Sequence, residues 1–188
     1  QVFRSKGTPH VMSGGRSFFD YVEIKDVMAY IRMLCNPQDN SAFLRIVNVP
    51  RRGIGSSTLA KLAQQAEHKR INYFRAAAND EILSTLPTRA AHKLKEFHRL
   101  ILRLQQKVQA NVNADVIIDA MLAEIDYIAW IEQTSKDKTS KNNRTKLVYD
   151  FQKWIRAFNQ NSDMNLVDVA AQITLQTNKE DGNNDDAV

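Results

Sequence analysis

Apolar residues recur at helical spacing along most of the chain, and this periodicity constrains the fold more than any other feature. Between Thr88 and Gln109 the apolar positions alternate steps of four and three residues, which marks one face of a long amphipathic helix. Similar patterns predict further helices at 24–34, 41–49, from 56–58 onward, 114–124, 127–133, 143–159 and 166–176. No segment alternates as a strand, apart from the few residues at 9–12. The sequence therefore predicts an all-α, compact domain of about seven to nine helices.

The composition is typical of one globular domain. The 188 residues are 43% hydrophobic and 25% charged, and the formal charge of +5 favours an anionic partner such as nucleic acid. No apolar run approaches the roughly 18 residues that a membrane-spanning helix requires, so we expect no membrane partner. Cys35 is the only cysteine, which predicts a core thiol in a reducing compartment. We expect a cytoplasmic protein.

Three polar segments mark boundaries along the chain. Gly14 and Gly15 offer two consecutive residues without a Cβ, which is typical of a hinge. The lysine-rich segment TSKDKTSKNNR, residues 134–144, predicts an exposed mobile loop. The acidic segment 178–188 predicts a flexible connector. Because the chain lacks an initial methionine and stops at DDAV, we expect it to be a piece of a longer polypeptide.

The residue patterns supply no enzymatic chemistry. The chain contains no G-x-x-x-x-G-K-[ST], H-E-x-x-H or G-x-S-x-G motif. The acidic residues Asp20, Glu23 and Asp26 are interpreted as capping a helix, because carboxylates are stabilised near a helix N-terminus. The histidines are scattered and share no metal-binding face: His10, His68, His92 and His98. We therefore predict no catalytic residue, no metal and no cofactor in this chain.

The stretch NVPRRGIGSSTL, residues 48–59, points to a ligand. Gly53 and Gly55 let the backbone bend and approach a ligand closely, while Ile54 can turn inward and anchor the turn. A helix that begins at 56–58 leaves its first N–H groups free, and such groups bind phosphate. Between positions 45 and 70 there are six basic residues and one acid. The candidate side-chain donors around the turn are Arg51, Arg52, Ser56, Ser57, Thr58 and Lys61.

Local chemistry alone leaves two interpretations of this turn open. It is either a phosphate site or a tight helix-to-helix connection in which Ser56 or Ser57 caps the next helix. A Gly-Ile-Gly hairpin between two short helices is typical of sequence-independent duplex binders, which hold the sugar-phosphate backbone. The basic side of 88–109 is interpreted as a solvated face rather than a second DNA surface; its cations are Arg89, Lys93, Lys95, Arg99, Arg103 and Lys107.

Two long motifs, SGGRSFFDYVEIKD at residues 13–26 and RIVNVPRRGIGSSTL at residues 45–59, resemble the 2B subdomain of the Rep/UvrD/PcrA superfamily 1A DNA helicases. The segment SGGRSFFDYVEIKD, residues 13–26, is similar to G-G-x-x-F-F-x-x-x-E-I-K-D in that family. The segment RIVNVPRRGIGSSTL, residues 45–59, is similar to R-I/V-V-N-x-P-x-R-G-I-G-x-x-T-L. A third segment, IDYIAWIEQTS at 125–135, resembles the D-Y-x-x-W-L sequence of the Rep branch. The resemblance is strong to about Leu62 and looser from there to Gln176.

This resemblance implies the regulatory 2B subdomain of a 3′-to-5′ ATP-dependent DNA helicase. Such a subdomain contacts duplex DNA ahead of the fork and modulates unwinding by swinging about a hinge. Gly14 and Gly15 match the hinge. Positions that match the duplex-contacting motif are Arg52, Gly53, Ile54, Gly55 and Thr58.

The resemblance also implies a division of the chain and a set of partners. Residues 1–14 would be a remnant of the 2A motor domain, 15–177 the helical subdomain, and 178–188 the connector back to the motor. The partners would be duplex DNA near a single-strand junction and the motor domains of the same polypeptide, in a bacterial, nucleoid-associated protein. ATP and Mg²⁺ would belong to the parent helicase. The alternative is a protein-interaction or autoinhibitory helical module without DNA affinity of its own.

Overall fold

The computed structural model describes residues 17–159 and 164–185, which form helices and no strand. A short 3₁₀ turn, Phe18–Asp20, precedes the α-helices. The helices are α1 (Val22–Cys35), α2 (Asn40–Ile46), α3 (Ser56–His68), α4 (Tyr73–Ala76), α5 (Asp80–Ser84), α6 (Thr88–Gln109), α7 (Ala114–Glu124), α8 (Tyr127–Thr134), α9 (Lys138–Asn159) and α10 (Leu166–Asp185). The predicted all-α fold is confirmed.

Helix α1 lies at the centre of the fold and packs against α2, α6, α9 and α10. Its side chains Ile24, Tyr30 and Met33 are fully buried. Because α1 carries apolar residues on several sides, neighbouring helices can cover it from more than one direction. Helix α2, which precedes the Gly-Ile-Gly turn, is therefore fixed to the middle of the core, while α3, which follows the turn, packs against α4 and α5.

The long helix α6 follows its sequence pattern closely. It begins at Thr88 and ends at Gln109, as the periodicity predicts. Leu94, Phe97 and Leu104 lie in the core, and burying a side chain of this kind contributes about 1.5–3 kcal/mol relative to exposure. The bounds of α7 also agree with the prediction. Strong helical patterns of at least three turns are thus sufficient to locate these elements.

Ten α-helices within the described ranges exceed the predicted seven to nine, because α4 and α5 are very short. They have four and five residues, which is too few for apolar periodicity to reveal. Each begins at an asparagine cap. The side chain of Asn72 accepts from the Arg75 N–H at 2.8 Å, and that of Asn79 accepts from the Ile82 N–H at 3.0 Å. These caps are the sequence signal for both helices.

Two polar segments that predict loops contain helix. The prediction of a mobile loop over 134–144 is wrong from Lys138 onward, where α9 begins. The Asp137 carboxylate accepts from the Ser140 N–H at 2.7 Å, so a side-chain cap starts this helix despite its few apolar residues. The backbone of α10 continues through Asp185, so residues 178–185 are helical where the sequence predicts a flexible connector. A connecting role for that segment stays a prediction.

The acidic group at the start of α1 does not cap it as interpreted. The N-cap is Tyr21, without a side-chain cap hydrogen bond, while Glu23 and Asp26 are only 6% and 3% exposed. Arg45 Nε donates to Asp26 at 2.9 Å, and the Tyr127 hydroxyl donates to the same carboxylate at 3.0 Å. Buried carboxylates require such partners. These partners come from distant parts of the chain, so local sequence does not reveal them.

Several predictions concern residues outside the described ranges. The proposed hinge at Gly14 and Gly15, the 1–14 segment and the strand-like residues 9–12 all lie there. In the part of the chain that the structure describes, no helix is both long and apolar enough to cross a membrane.

Candidate nucleic-acid interface

The predicted ligand-binding turn connects α2 to α3, and the side chain of Asn48 holds it in shape. Its carbonyl oxygen accepts from the N–H groups of Arg52 at 3.3 Å and Ile54 at 3.2 Å. Its amide nitrogen donates to the Ile54 carbonyl oxygen. Asn48 therefore satisfies backbone groups on both sides of Gly53. We call residues 48–55 the Gly-Ile-Gly loop.

The three central residues of the loop play different parts. Ile54 is 3% exposed, which confirms the predicted inward anchor. Gly53 has a φ of 73°, a left-handed conformation that favours glycine, whereas Gly55 has an ordinary φ of −70°. A Cβ would meet no described atom within 4 Å at Gly53, and only Ser57 Oγ, at 3.9 Å, at Gly55. Both glycines therefore face open space from which a ligand can approach the backbone.

Helix α3 begins at Ser56, within the predicted range, and its first turn is open. Gly55 is the N-cap and supplies no side chain, and the first helical hydrogen bond runs from the Leu59 N–H to the Gly55 carbonyl at 3.1 Å. Among the described residues, no hydrogen bond engages the N–H groups of Ser56, Ser57 and Thr58. The first turn contains no acidic residue. A helix start of this kind favours an anion.

Arg52 points into the protein rather than away from it. Its Nη2 donates to the Tyr30 hydroxyl at 2.9 Å, and its guanidinium carbon lies 4.8 Å from the centre of the Phe97 ring. Burial raises the pKa of Tyr30, so that hydroxyl stays neutral. Arg52 Nη1 donates to three backbone carbonyl oxygens at the end of α2 and just after it. They belong to Ile46 at 2.9 Å, Val47 at 3.1 Å and Pro50 at 3.2 Å.

None of these Arg52 partners carries a negative charge. The guanidinium is therefore hydrogen-bonded but not neutralised, and its field persists below the Gly-Ile-Gly loop. Arg52 fixes the loop on the end of α2, which is a positioning role. Direct contact between Arg52 and a ligand stays a prediction.

Two other predicted contact residues, Thr58 and Lys61, are engaged within the protein, the first by burial and the second by a hydrogen bond at the surface. Thr58 is 7% exposed. Lys61 Nζ donates to the Thr85 carbonyl at 2.5 Å and so joins α3 to the end of α5. Ser56 and Ser57, in contrast, are exposed beside the loop. The structure thus brings the serines to the outer surface and leaves Thr58 with only its backbone N–H for a ligand.

Arg51 is exposed and stands at the edge of a groove of about 590 Å³ between the loop and α6. No hydrogen bond or ion pair of the described residues engages its side chain. Phe97, Leu100 and Ile125 form part of the groove wall. We call this space the α6 groove; its cations are Arg51, Arg52, Arg89, Lys93 and Arg103, and its acids are Glu96 and Glu124.

Sequence reasoning missed Asn48 and Tyr30 as parts of the site. Asparagine is a turn-favouring residue, and Asn48 stands two positions before the loop proline, so residue type at this position could have indicated it. Tyr30 lies 22 positions before Arg52 and carries no local signal.

Other reactive groups lie apart from the loop. Cys35 is half-buried against the core at the end of α1, and burial raises the pKa of its thiol to about 11. His98 stacks on the Phe74 ring with centroids 4.3 Å apart. Within the described ranges, no group of three or more His, Cys, Asp or Glu side chains is arranged to hold a metal ion.

Fold and site together define a class of protein. It is an all-α domain with a basic loop that an asparagine side chain holds together, followed by a helix whose first N–H groups are free within the described part of the chain. The sequence profile of the UvrD-like helicase C-terminal domain matches residues 1–188. The chain therefore belongs to the UvrD-like helicase C-terminal domain family.

Individual relatives are ATP-dependent DNA helicases. Rep of Buchnera aphidicola subsp. Schizaphis graminum (strain Sg) is 33% identical over 184 residues, 94% of this chain and 27% of Rep. Rep of Escherichia coli (strain K12) is 34% identical over 182 residues, 95% of this chain and 27% of Rep. PcrA of Bacillus subtilis (strain 168) is 29% identical over 157 residues, 84% of this chain and 21% of PcrA. The chain thus spans about a quarter of the length of these relatives.

Proposed function

We propose that this chain is the regulatory 2B subdomain of a 3′-to-5′ ATP-dependent DNA helicase, of the Rep branch. In this proposal it contacts the backbone of duplex DNA ahead of the fork and modulates unwinding by swinging about Gly14 and Gly15. ATP and Mg²⁺ act in the motor domains of the parent polypeptide, which works in the bacterial cytoplasm beside the nucleoid. Membership of the helicase family and similarity to Rep support this proposal.

The open start of α3 carries the DNA part of the proposal. The free N–H groups of Ser56, Ser57 and Thr58 follow two glycines that face open space. Phosphate oxygens suit such donors because helix N–H groups point at the ligand and the helix dipole favours negative charge. Backbone donors read no base sequence, so this contact would serve a helicase on any duplex.

The residues around the loop have different roles in the proposed contact. Gly53 and Gly55 leave space for the phosphate, and the hydroxyls of Ser56 and Ser57 flank it. Arg51 attracts the backbone from the exposed side. Asn48 and the half-buried Arg52 hold the loop in the conformation that presents the N–H groups.

Replacing Gly55 by aspartate tests this arrangement. The φ of −70° suits any residue, and aspartate is a favourable N-cap, so the free energy of unfolding should stay equal or rise by a few tenths of a kcal/mol. The added carboxylate occupies the place of the phosphate, so duplex affinity should fall by about tenfold or more. Fluorescence anisotropy with a short labelled duplex measures the affinity, and urea unfolding measures the stability.

Asn113→Asp provides the matched control. Asn113 is the exposed N-cap of α7 and makes no side-chain cap hydrogen bond, so this variant adds the same charge at another helix start. Its duplex affinity should change less than twofold. Equal affinity of Gly55→Asp and the unaltered chain would contradict a phosphate contact at α3.

A docking function is the second candidate, and exposed apolar side chains favour it. Val116 on α7 and Val167 and Leu175 on α10 are 51%, 54% and 54% exposed, and these two helices pack against each other. Salt separates the two functions. Backbone binding weakens by about 0.9 log units per phosphate contact for each log unit of salt, whereas apolar docking hardly responds.

A further inference from the structure

The α6 groove carries an inference that extends the proposed function. Five basic and two acidic side chains line it. The basic face of α6 would not by itself indicate a binding site, but here it lies opposite the Gly-Ile-Gly loop and forms a groove with it. The groove runs between the Gly-Ile-Gly loop and α6, and the end of α7 closes one side through Glu124 and Ile125. A ligand held at the loop therefore lies beside a groove in which basic side chains outnumber acidic ones.

The groove-lining residues of α6 follow one stripe of the helix. Arg89, Lys93, Glu96, Leu100 and Arg103 are separated by steps of four or three residues. At a rise of about 1.5 Å per residue, this stripe is roughly 21 Å long. It is thus long enough to accompany several phosphates of one DNA strand.

Ion pairs make the charge along this stripe uneven. Lys93 Nζ lies 2.7 Å from a Glu96 carboxylate oxygen, and Arg103 Nη2 lies 3.1 Å from Glu124. No ion pair or hydrogen bond of the described residues engages Arg89, which is exposed. Arg51 and Arg89 are therefore the cations available to an incoming anion, one on each side of the groove.

We propose that the α6 groove seats the sugar-phosphate backbone of the duplex strand held at the Gly-Ile-Gly loop, with Arg89 as a second phosphate contact. This inference rests on the proposed function. The apolar wall at Leu100 and Ile125 suits the carbon face of deoxyribose. Phe97 is 1% exposed and offers no ring for a base to stack on, which favours an intact duplex over splayed single-stranded bases.

Two variants of α6, one at Arg89 in the groove and one at Arg99 outside it, test the groove. Arg89→Ala should weaken duplex binding about fivefold at low salt and reduce the slope of log affinity against log salt by about 0.9. Arg99→Ala is the matched control, because Arg99 is an exposed arginine of the same helix outside the groove. It should change affinity less than twofold, and circular dichroism should show equal helicity in both variants.

Glu96→Gln tests the same groove with a variant that should raise duplex affinity rather than lower it. The change removes a negative charge from the groove and releases Lys93 from its ion pair. Duplex affinity should rise about threefold, with a steeper dependence on salt. A gain of affinity cannot come from a damaged fold, so this variant complements the loss expected for Arg89→Ala.

The outcomes separate this inference from the proposed function. If Gly55→Asp abolishes binding while Arg89→Ala and Arg99→Ala behave alike, the loop contact stands and the groove contact is overturned. If Gly55→Asp and Arg89→Ala both bind as the unaltered chain does, both proposals fail. Binding of a tetraglutamate peptide as tightly as the duplex would also overturn the assignment to a phosphodiester backbone.

Discussion

Arg52 and Arg144 are both held by several partners, but the chemistry of those partners differs. Arg52 donates to carbonyl oxygens and to a neutral tyrosine, so its charge is not cancelled. Arg144 Nε donates to the Glu23 carboxylate at 2.6 Å, and Asp26 nearby is similarly paired with Arg45. The comparison teaches that partners of either kind can fix an arginine between helices, whereas only acidic partners cancel its charge.

Removing Arg144 should have the largest effect on stability. Arg144→Ala leaves the Glu23 carboxylate buried without its cation, and should lower the free energy of unfolding by about 3 kcal/mol. Lys146→Ala, two residues along α9, breaks only the exposed pair with Asp150 and should cost less than about 1 kcal/mol. Urea unfolding compares the two variants. Equal losses would show that burial of the acid is irrelevant.

Removing Arg52 should lower stability and DNA affinity together. Arg52→Ala leaves carbonyl oxygens at the end of α2 without their donor, and should destabilise the chain by about 2 kcal/mol. The loosened loop should then bind the duplex more weakly. Arg52→Lys keeps the charge but not the fork of donors, so it should recover only part of both losses. Lost affinity at full stability would instead make Arg52 a direct DNA contact.

Removing Arg51 should affect binding alone. The exposed side chain has no partner in the described part of the chain, so Arg51→Ala should change the free energy of unfolding by less than about 0.5 kcal/mol. Duplex affinity should fall about fivefold at low salt, and the salt slope should decrease by about 0.9. Titrations at two salt concentrations measure both quantities. Unchanged affinity would remove Arg51 from the interface.

The smallest expected effect is a pH dependence at Asp26. Burial raises the pKa of this carboxyl above its ordinary 3.8, despite opposing effects of the Tyr127 hydrogen bond and Arg45. The folded chain therefore binds this proton more readily than the unfolded chain, and stability should fall as pH rises from 3.8 through the raised pKa. Asp26→Asn should lack this decline, which urea unfolding across this pH range measures.

Surface carboxylates change stability with pH in the opposite direction, and they do so equally in the unaltered chain and in Asp26→Asn. Hydrogen bonds from lysines lower the pKa values of Asp80 and Glu81, whose contribution is lost as pH falls. The difference between the unaltered chain and Asp26→Asn cancels that background. Parallel pH profiles for the two proteins would show that Asp26 titrates alike in the folded and unfolded chains.

Elements with a strong repeating pattern could be predicted from sequence. The bounds of α6 and α7 follow from apolar spacing, and the start of α3 follows from Gly55 and the serines after it. The beginning of α9 at Lys138 could not, because a local cap and pairing with distant residues compensate for its few apolar side chains. Periodicity reports burial against neighbours, and it weakens where polar contacts hold a helix.

The candidate site also contains one residue whose orientation the sequence predicts and one whose orientation it does not. The inward turn of Ile54 is readable because one apolar residue stands between two glycines. The inward orientation of Arg52 is not, since arginine beside a glycine-rich turn normally indicates an outward donor. Its partners Tyr30 and Phe97 lie on α1 and α6, far away in sequence. Residue type predicts which groups gather at a site, while tertiary packing decides which way they face.

The hydrogen bonds of the Asn48 side chain across the Gly-Ile-Gly loop also bear on how fast a ligand can bind. Because Asn48 already bonds backbone groups of Arg52 and Ile54, the loop has given up its conformational entropy during folding. DNA would meet a rigid surface and would not need to wait for a rearrangement, so encounter should be limited by diffusion and electrostatic attraction. In the proposed DNA-contacting role, a loop that is ordered in advance would bind and release the duplex without a conformational step.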